Sequence, residues 1–516
     1  MIPRYSKKKR IRIFFQIFFL IIFFWLLIKT GAASTESFKY SDHFFYFDPL
    51  LLIVNLISTH TVVNLFFLSL IPVGLSLIFG RFFCGWVCPM GTINHFFSWI
   101  SIRRKKRVEK INFKLLKIKY VVLVIVLIMA LFGTNIAGWF DPFSILTRST
   151  SIVISPFVNY ITEETLKDGA EESGIISKGL KPVYQFSKKH ILPNKPRKYH
   201  QTVFLGLIFF LLIAANFYKR RFFCNYICPL GALYGLFSKF SLLNLNVKDV
   251  TCNKCDICSQ NCTYSGSPFI NYIKSECMVC YNCEESCPSK SIGTEFSFPK
   301  KSDSNKIDLG RRRITGSIFS GVFLAALPRI SGKSTSKTHG FERPPGSVAE
   351  PDFLDRCIRC GECMQACPTN FIQPALFETG IDGLWTPVLE PSIGYCEYEC
   401  KRCTEVCPTN AIEMLTLKDK KKFKIGTAVV VKDRCYTYSD GYNCAVCEEH
   451  CPVPDKAIRF REVNVWNFEG KLVKVKQIYI VPDLCIGCGI CENVCPRSDA
   501  PGIINTSEEE QREFKY

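Results

Sequence analysis

The cysteines constrain this chain most: 28 of its 516 residues are cysteine, and all 28 fall into groups of four. Six groups are tetrads of closely spaced residues, and the seventh consists of two separated pairs, Cys84/Cys88 and Cys224/Cys228. Cysteines only two residues apart are poorly placed to form disulfides with each other, so a disulfide framework does not explain the repeated triplets. The pattern excludes an ordinary soluble enzyme and indicates a chain built around thiolate ligands.

Two tetrads follow each other closely and share the spacer lengths two, two and three: Cys252, Cys255, Cys258, Cys262 and Cys277, Cys280, Cys283, Cys287. This is the spacing of bacterial two-cluster ferredoxins, in which the fourth cysteine of each run binds the cluster of the other run. We therefore expect one [4Fe-4S] cluster on Cys252, Cys255, Cys258 and Cys287, and a second on Cys277, Cys280, Cys283 and Cys262.

Four more tetrads occupy the last third of the chain. Two keep the regular spacing, namely Cys357, Cys360, Cys363, Cys367 and Cys485, Cys488, Cys491, Cys495. The other two open with a longer spacer, namely Cys396, Cys400, Cys403, Cys407 and Cys435, Cys444, Cys447, Cys451. Zinc bound by four cysteines is the alternative for any single tetrad. Five of the six tetrads end in Cys-Pro, which favours six [4Fe-4S] clusters, and the absence of a CxxCH motif disfavours haem.

Charge and hydropathy divide the chain. Residues 1–339 hold 44 Lys and Arg against 18 Asp and Glu, whereas residues 340–516 hold 21 against 27. The basic part contains four apolar runs that are long enough, or nearly so, to cross a hydrocarbon core of roughly 30 Å: Ile13 to Ile28, a stretch ending near Phe79, Tyr120 to Ala137, and Val203 to Phe217. We expect four membrane helices. A cleaved signal peptide is the alternative for residues 1–30.

Basic residues flank these runs at Lys7–Arg12, Arg103–Arg107 and Lys219–Arg221. Lysine and arginine are enriched on the cytoplasmic side of membrane helices, so these ends are expected to face the cytoplasm.

The membrane part also repeats itself. The segment RFFCGWVCPMG at 81–91 returns as RFFCNYICPLG at 221–231, and FDP at 47–49 returns at 140–142. Both halves start and finish on the same side, which predicts parallel repeats. The four thiols Cys84, Cys88, Cys224 and Cys228 could ligate a seventh redox centre, act as a redox dithiol, or simply pack the helix ends.

Four residues of the repeat region are candidates for a quinol site: Asp48, Asp141, His60 and His95. Each aspartate precedes a proline, so helix capping is a sufficient structural explanation for it. A proton-accepting role near a quinol headgroup is the functional alternative. The two histidines could equally be hydrogen-bonded core residues.

Between the second and third tetrads, three arginines precede a moderately apolar segment at about 314–330, in a pattern typical of twin-arginine export signals. We expect a fifth crossing there, with a buried soluble helix as the alternative, flanked by linkers at 299–308 and 331–351. The first ferredoxin would then be cytoplasmic and the acidic four-cluster domain periplasmic.

These motifs resemble known families. The RFFCxxxCPxG repeat followed by a two-cluster ferredoxin is similar to the NapH family of membrane quinol dehydrogenase subunits, over roughly residues 1–295. The twin-arginine segment with four tetrads resembles the NapG family of periplasmic ferredoxins, over roughly 310–505. The resemblance implies oxidation of menaquinol or ubiquinol in the bacterial inner membrane, with electrons passing to a periplasmic reductase. From related four-cluster subunits we expect nested pairing of the last four tetrads, outer with outer and inner with inner, with pairing of neighbouring tetrads as the alternative that the sequence leaves open.

The expected architecture is mixed: a multi-pass α-helical membrane domain with a two-fold repeat (1–247), α+β ferredoxin-like domains at 248–296 and 353–516, and a linker with the fifth segment (297–352). Its expected partners are membrane lipid, the quinone pool and a periplasmic redox protein, with no nucleic acid. A maturation or regulatory protein for a periplasmic metalloenzyme, or a polyferredoxin relay between other complexes, remains the alternative to a quinol dehydrogenase.

Overall fold

The structure is a computed structural model that describes residues 7–31, 43–61, 63–104, 113–171, 181–182, 184–185, 197–263, 272–298, 311–330, 342–466 and 470–511. The chain divides into two compact units. The first comprises residues up to 27, 41–149 and 204–327, and the second comprises 28–40, 150–203 and 328 onward.

Helices dominate the first unit. The longer ones carry the apolar runs and the segments that follow the repeated motifs: Lys7–Gly31, Pro49–Thr59, Leu70–Phe79, Pro89–Arg104, Ile118–Leu131, Pro142–Ser149, Thr202–Tyr218, Pro229–Ser238 and Arg311–Ile330. Shorter helical turns connect them: His43–Tyr46, Asn64–Ser69, Phe82–Trp86, Phe113–Leu116, Ala137–Phe140 and Phe223–Ile227. Ser155–Glu171 continues the helix after Ser149 through a π turn at Thr150–Ile154, in the second unit.

The two FDP motifs start helices in the same way. Asp48 accepts hydrogen bonds from the backbone N–H groups of Leu50 (2.8 Å) and Leu51 (3.3 Å), and the helix begins at Pro49. Asp141 accepts one from the N–H of Ser144 (2.7 Å), and its helix begins at Pro142. An acidic cap followed by proline satisfies the free N–H groups of a first helical turn, which explains why the motif recurs.

One helix among the described residues, Lys7–Gly31, is long and apolar enough to cross a membrane, judged by length and composition. The other predicted spans form shorter apolar helices, Pro49–Thr59, Asn64–Phe79, Ile118–Leu131, Thr202–Tyr218 and Ile314–Ala325. The run predicted from Tyr120 to Ala137 is interrupted because Gly133 adopts a positive φ of 72°. The helix therefore ends at Leu131, and a new one starts at Ala137.

The helix Arg311–Ile330 buries a stripe of small residues. Ser317, Gly321 and Ala325, spaced four apart, are buried, whereas Phe319 and Phe323 are exposed. A Cβ added at Gly321 would lie 2.8 Å from Cγ2 of Ile128, so this helix packs closely on Ile118–Leu131. Small residues at every fourth position allow two helix backbones to approach. The large apolar side chains of this segment, such as Phe319 and Phe323, face outward.

Among the described residues, strands occur only in the cysteine-rich parts. In the first unit, Leu243–Val247 pairs antiparallel with Ile292–Phe296 around the first two tetrads. The second unit holds three two-stranded antiparallel sheets: Ile372–Pro374 with Pro387–Leu389, Thr427–Val430 with Ile503–Thr506, and Ile458–Trp466 with Leu472–Ile480. Its helices are short: Glu350–Arg356, Glu362–Ala366, Arg402–Glu405, Leu417–Lys422, Tyr436–Ser439, Val446–Glu449 and Ile490–Asn493.

The predicted linkers lie partly outside the described residues, at 299–308 and 331–341. The end of the second one is folded into the second unit. Arg343 is fully buried and donates to Glu350, to Oγ1 of Thr386 (2.8 Å) and to the carbonyl of Pro387 (2.7 Å). These residues therefore anchor the start of the four-tetrad part.

The close contact at Gly321 predicts a selective effect of substitution. Gly321→Leu should destabilise the packing of Arg311–Ile330, at a cost of about 1–3 kcal/mol, because the added side chain collides with Ile128. Gly316→Leu is the matched control, since a Cβ there meets nothing within 4 Å. Thermal unfolding in detergent would measure both variants. Equal melting temperatures would contradict the packing of this helix.

Candidate metal centres

The regular CxxCxxC runs share an unusual backbone. In each of the four, both the residue before the second cysteine and the residue after it have positive φ, between 48° and 84°, namely Lys254/Asp256, Val279/Tyr281, Arg359/Gly361 and Gly487/Gly489. Left-handed residues are costly for side chains other than glycine. Their recurrence shows that the loop curls tightly, so that its three thiols point toward one side.

In the first ferredoxin part, four thiols line a cavity of about 550 Å³: Cys262, Cys277, Cys280 and Cys283. Burial raises the pKa of the Cys283 thiol, and the thiols of Cys280, Cys277 and Cys262 raise it further. The fourth cysteine of this cavity belongs to the other run, as the two-cluster pattern predicts. The helices that follow the two runs, Ile257–Gln260 and Asn282–Ser286, pack together.

The second unit contains the same arrangement twice. We number the thiol sets there as sites 1 to 4. Site 1 is Cys357, Cys360, Cys363 and Cys407, which line a cavity of about 380 Å³. Site 2 is Cys396, Cys400, Cys403 and Cys367: burial raises the pKa of the Cys403 thiol, and the other three thiols raise it further.

Sites 3 and 4 complete the set. Site 3 is Cys435, Cys444, Cys447 and Cys495, which line a cavity of about 360 Å³. Site 4 is Cys485, Cys488, Cys491 and Cys451, which line a cavity of about 340 Å³. The expected nested pairing is therefore wrong: neighbouring tetrads exchange their fourth cysteines. The physical reason is local packing, because the short helices Glu362–Ala366 and Arg402–Glu405 pair in one half, and Val446–Glu449 and Ile490–Asn493 in the other.

The donor sets suit iron–sulfur clusters. Backbone N–H groups point at the sulfur atoms of Cys287 (from Ser291, 3.3 Å), Cys407 (from Ile412, 3.4 Å) and Cys485 (from Ala428, 3.4 Å). Such hydrogen bonds stabilise thiolates and tune cluster potentials. Among the described residues, no three His, Cys, Asp or Glu side chains converge on a single metal ion. The thiols instead surround cavities, which fits a four-iron cube better than a tetrahedral zinc ion.

The CxxxCP pairs have a different local structure. Cys88 and Cys228 each precede a helix that begins with proline, and each sulfur accepts a hydrogen bond from the N–H of the motif glycine: Gly91 at 3.4 Å and Gly231 at 3.2 Å. These cysteines therefore act as helix caps. Burial raises the pKa of the Cys88 thiol, and the thiols of Cys224 and Cys84 raise it further. The four cysteines of the two repeats thus lie together.

The arginine that opens each motif reaches into the other repeat. Arg221 donates to the carbonyl oxygens of Cys84 (2.8 Å) and Gly91 (2.9 Å), and the guanidinium of Arg81 lies 2.9 Å from the position of a Cβ on Gly231. Both arginines are fully buried. This reciprocal exchange explains the glycine of CPxG, because a side chain there would displace the arginine.

A buried acid joins the repeat to the ferredoxin part. Glu276, next to Cys277, accepts hydrogen bonds from Arg81 (2.7 Å), Lys119 and Tyr120 (2.9 Å), and Glu276, Arg81 and Lys119 are fully buried. Analysis of the sequence did not identify this network. Arg81 and Arg221 occupy equivalent positions in the internal repeat, which distinguishes them in the sequence. No local pattern marks Glu276 as the partner of Arg81.

The ligand loop that follows Glu276 packs directly on the first CxxxCP motif. Trp86 donates to the carbonyl of Val279 (3.1 Å), and Arg221 donates to Sδ of Met278 (2.6 Å). A Cβ on Gly85 would lie 2.5 Å from the carbonyl oxygen of Met278. Glycine is therefore required at position 85 so that the first CxxxCP motif can contact the Cys277–Cys280 loop.

The quinol-site candidates divide into a pair and two single residues. Asp48 and Asp141 are fully buried, and their carboxyl groups lie close enough to interact electrostatically. His60 is exposed and ends a helix with a φ of 55°, so its structural role is a cap. His95 lies 3.3 Å from Arg12 on another helix. Among the described contacts, the two aspartates therefore lie close together, and neither histidine lies beside them.

Comparison with known proteins agrees with these sites. Models of a 4Fe-4S binding domain match residues 61–108, 199–248 and 353–373, and a model of a 4Fe-4S dicluster domain matches 395–454 and 442–499. No solved structure matches the chain.

Curated relatives cover part of the chain. The methylamine utilization ferredoxin-type protein MauM of Methylorubrum extorquens is 33% identical over 179 residues, 34% of this chain and 76% of the relative. MauM of Methylophilus methylotrophus is 32% identical over 201 residues, 37% of this chain and 84% of the relative. The ferredoxin-type protein NapG of Escherichia coli is 33% identical over 200 residues, 38% of this chain and 84% of NapG.

The cavities and the matched domains define an iron–sulfur protein of the ferredoxin type, whose work is electron transfer. The chain belongs to the family of ferredoxin-type proteins that includes MauM and NapG.

The Glu276 network predicts that removing the charge of Glu276 strongly lowers the stability of the protein. Glu276→Gln should cost about 3–5 kcal/mol, because it leaves Arg81 and Lys119 buried without their counter-charge. Glu295→Gln, on the exposed strand of the same domain, is the control and should change stability little. Thermal unfolding of the detergent-purified protein measures both. Similar melting temperatures for the two variants would show that the Glu276 network does not stabilise the packing of the first ferredoxin part against the repeat region.

Proposed function

We propose that this protein is a membrane-bound quinol dehydrogenase component with six [4Fe-4S] clusters, which passes electrons from the quinone pool to a periplasmic redox partner. When bound, each cluster supplies a one-electron carrier. The observation that carries the proposal is the packing of the Cys277–Cys280 loop against Cys84–Trp86. This contact gives the repeat region a direct connection to an electron-transfer loop.

Multiple membrane crossings are supported by the outward faces of the short apolar helices. On Thr202–Tyr218, Val203, Leu207 and Phe210 are between 55% and 84% exposed, and on Arg311–Ile330 Phe319 and Phe323 are 70% and 64% exposed. Exposed apolar area on this scale marks a surface that something apolar covers. Lipid is the proposed cover, with tilt and local thinning accommodating helices shorter than about 20 residues.

The ligand assignment follows the thiol sets described above and, for Cys252, Cys255, Cys258 and Cys287, the spacing of the sequence. Cys262, Cys277, Cys280 and Cys283 would hold one cluster, Cys252, Cys255, Cys258 and Cys287 another, and sites 1 to 4 the remaining four. The four thiols of the CxxxCP pairs would hold a seventh redox centre. Its support is the convergence of Cys88 with Cys84 and Cys224, together with the match of both repeat segments to a 4Fe-4S binding domain.

The buried aspartates are the proposed proton acceptors. Two neighbouring carboxyl groups cannot both stay ionised in a buried site, so the pair would hold a shared proton. Tyr234 is fully buried and interacts electrostatically with both Asp48 and Asp141 and with Cys84 and Cys88. Its position would link the proton site to the thiols. Oxidation of quinol to quinone releases two electrons, which the clusters would take one at a time, and two protons, of which the aspartate pair, already sharing one proton, would take one and bulk water the other.

The first ferredoxin part is proposed to face the cytoplasm and the second unit the periplasm of a bacterial inner membrane. The positive residues beside the apolar runs support this orientation. The relatives named for methylamine utilization and the NapG relative leave the periplasmic acceptor open. The NapG resemblance favours a periplasmic reductase of a nitrate-reductase-like pathway as the acceptor.

Reduction by quinol tests the function. In liposomes, a reduced quinol analogue should bleach the visible absorption of the clusters in the purified full-length protein. Gly85→Ala should slow this reduction at least several-fold, since its Cβ displaces Met278. Gly293→Ala, where a Cβ meets nothing within 4 Å, is the control. If dithionite reduces the clusters but quinol does not, the dehydrogenase proposal fails.

Metal analysis tests the seventh centre. Six clusters require about 24 irons per chain, and a further four-iron centre raises this to about 28. The double variant Cys88→Ala/Cys228→Ala should return the content to about 24 if the CxxxCP thiols bind iron. An unchanged iron content would assign these cysteines to helix capping alone. Bound zinc in place of iron would overturn the cluster assignment.

A further inference from the structure

Among the described residues of the second unit, two ligand residues from different halves of the thiol sites meet directly. The backbone N–H of Cys396 donates to the carbonyl oxygen of Cys488 at 2.8 Å. Cys396 belongs to site 2 and Cys488 to site 4. Two ligand residues from different halves are thus joined by one hydrogen bond.

A second contact supports the same junction. A Cβ on Gly489, the residue after Cys488, would lie 3.2 Å from the ring of Phe371, and Asn493 donates to the carbonyl of Pro391 at 2.9 Å. Phe371 follows Cys367, the fourth cysteine of site 2, by four residues. The loop of site 4 therefore rests on segments that belong to site 2.

Within each half, the sites are already neighbours because they exchange a cysteine run. The helix Glu362–Ala366 beside site 1 packs on Arg402–Glu405 beside site 2, and Val446–Glu449 beside site 3 packs on Ile490–Asn493 beside site 4. The neighbour relations in the described contacts are therefore 1 with 2, 2 with 4, and 4 with 3.

One end of this series is identified by its surroundings. Tyr199, which is buried just before the helix Thr202–Tyr218, donates to the carbonyl of Met364 at 3.1 Å, and Met364 lines the site 1 cavity. Gln201 donates to the carbonyl of Pro374 at 2.6 Å. Site 1 thus adjoins the segment that leads into the apolar helices, whereas Arg434 and Arg497 border site 3.

We infer that electrons cross the four-site domain in the order site 1, site 2, site 4, site 3, with the Cys396–Cys488 hydrogen bond as the junction and site 3 as the exit. This inference rests on the proposed cluster-binding function. It departs from the order of the tetrads along the chain, in which site 3 would follow site 2. Cys396 is accordingly both a ligand and a positioning residue.

Magnetic coupling between reduced clusters tests the order in the full-length protein. Cys447→Ala removes site 3 and Cys491→Ala removes site 4, each at an expected loss of about four irons. In the inferred order, Cys447→Ala leaves three coupled centres in the domain, whereas Cys491→Ala leaves one coupled pair and one isolated centre. EPR of the dithionite-reduced variants should therefore show a sharp, uncoupled signal only in Cys491→Ala.

The opposite result, an isolated signal only in Cys447→Ala, would establish the order of the chain and overturn the inference. Coupling that is equal in the two variants would also overturn it. If an alanine variant loses the iron of both sites in its half, Cys447→Ser and Cys491→Ser replace it, since serine oxygen can retain iron with an altered signal. Site 2 should then respond to the change at site 4 and remain unaffected by that at site 3.

The inference and the proposed function fail in different ways. Wild-type protein that lacks iron or shows no reduced-cluster EPR signal would refute the cluster proposal itself. Wild-type protein with its full iron content and the wrong coupling pattern would refute the order alone. Gly489→Ala offers a further comparison, because it should weaken the coupling between sites 2 and 4, whereas Gly470→Ala, with a similar positive φ and open surroundings, should not.

Discussion

The exchange of the fourth cysteine between neighbouring runs is the constraint on which the cysteine-rich parts depend. Cys407 lies with the run that starts at Cys357, and Cys451 lies with the run that starts at Cys485. Each cavity is complete only when two segments meet, so cavity formation and the pairing of short helices are one event. This explains how parts with only short two-stranded sheets can be folded: thiol sites take the place of a large apolar core.

The repeat region uses a second reciprocal exchange, carried by arginine instead of cysteine. Arg221 contacts the carbonyl groups of the first motif, and Arg81 lies against Gly231 of the second motif while it binds Glu276. Buried guanidinium groups are tolerated because several carbonyl and carboxylate acceptors surround them. The same arginines thereby hold the two repeats together and position the ferredoxin loop against them.

The sequence predicted some parts of this structure and missed others for physical reasons. Regular spacing predicted which three cysteines of each run act together, and the Asp-Pro pairs predicted helix caps, because both are local effects. Helix lengths were less predictable, since the left-handed Gly133 ends one helix within an apolar run. The Glu276 network could not be predicted, because its members are up to 195 positions apart and each is an ordinary charged residue by itself.

The sequence by itself determined the chemistry of the protein: which thiols form sets of three, which motifs repeat, and that the chain carries iron–sulfur ferredoxin domains. For the four tetrads of the second unit, only the tertiary structure decided which run supplies each fourth thiol, and it selected neighbouring runs over the nested pairs. It also decided that Cys396 meets Cys488 and that Asp48 lies close to Asp141. Spacing along a chain specifies the shape of a loop, whereas the meeting of two loops depends on how the segments between them pack.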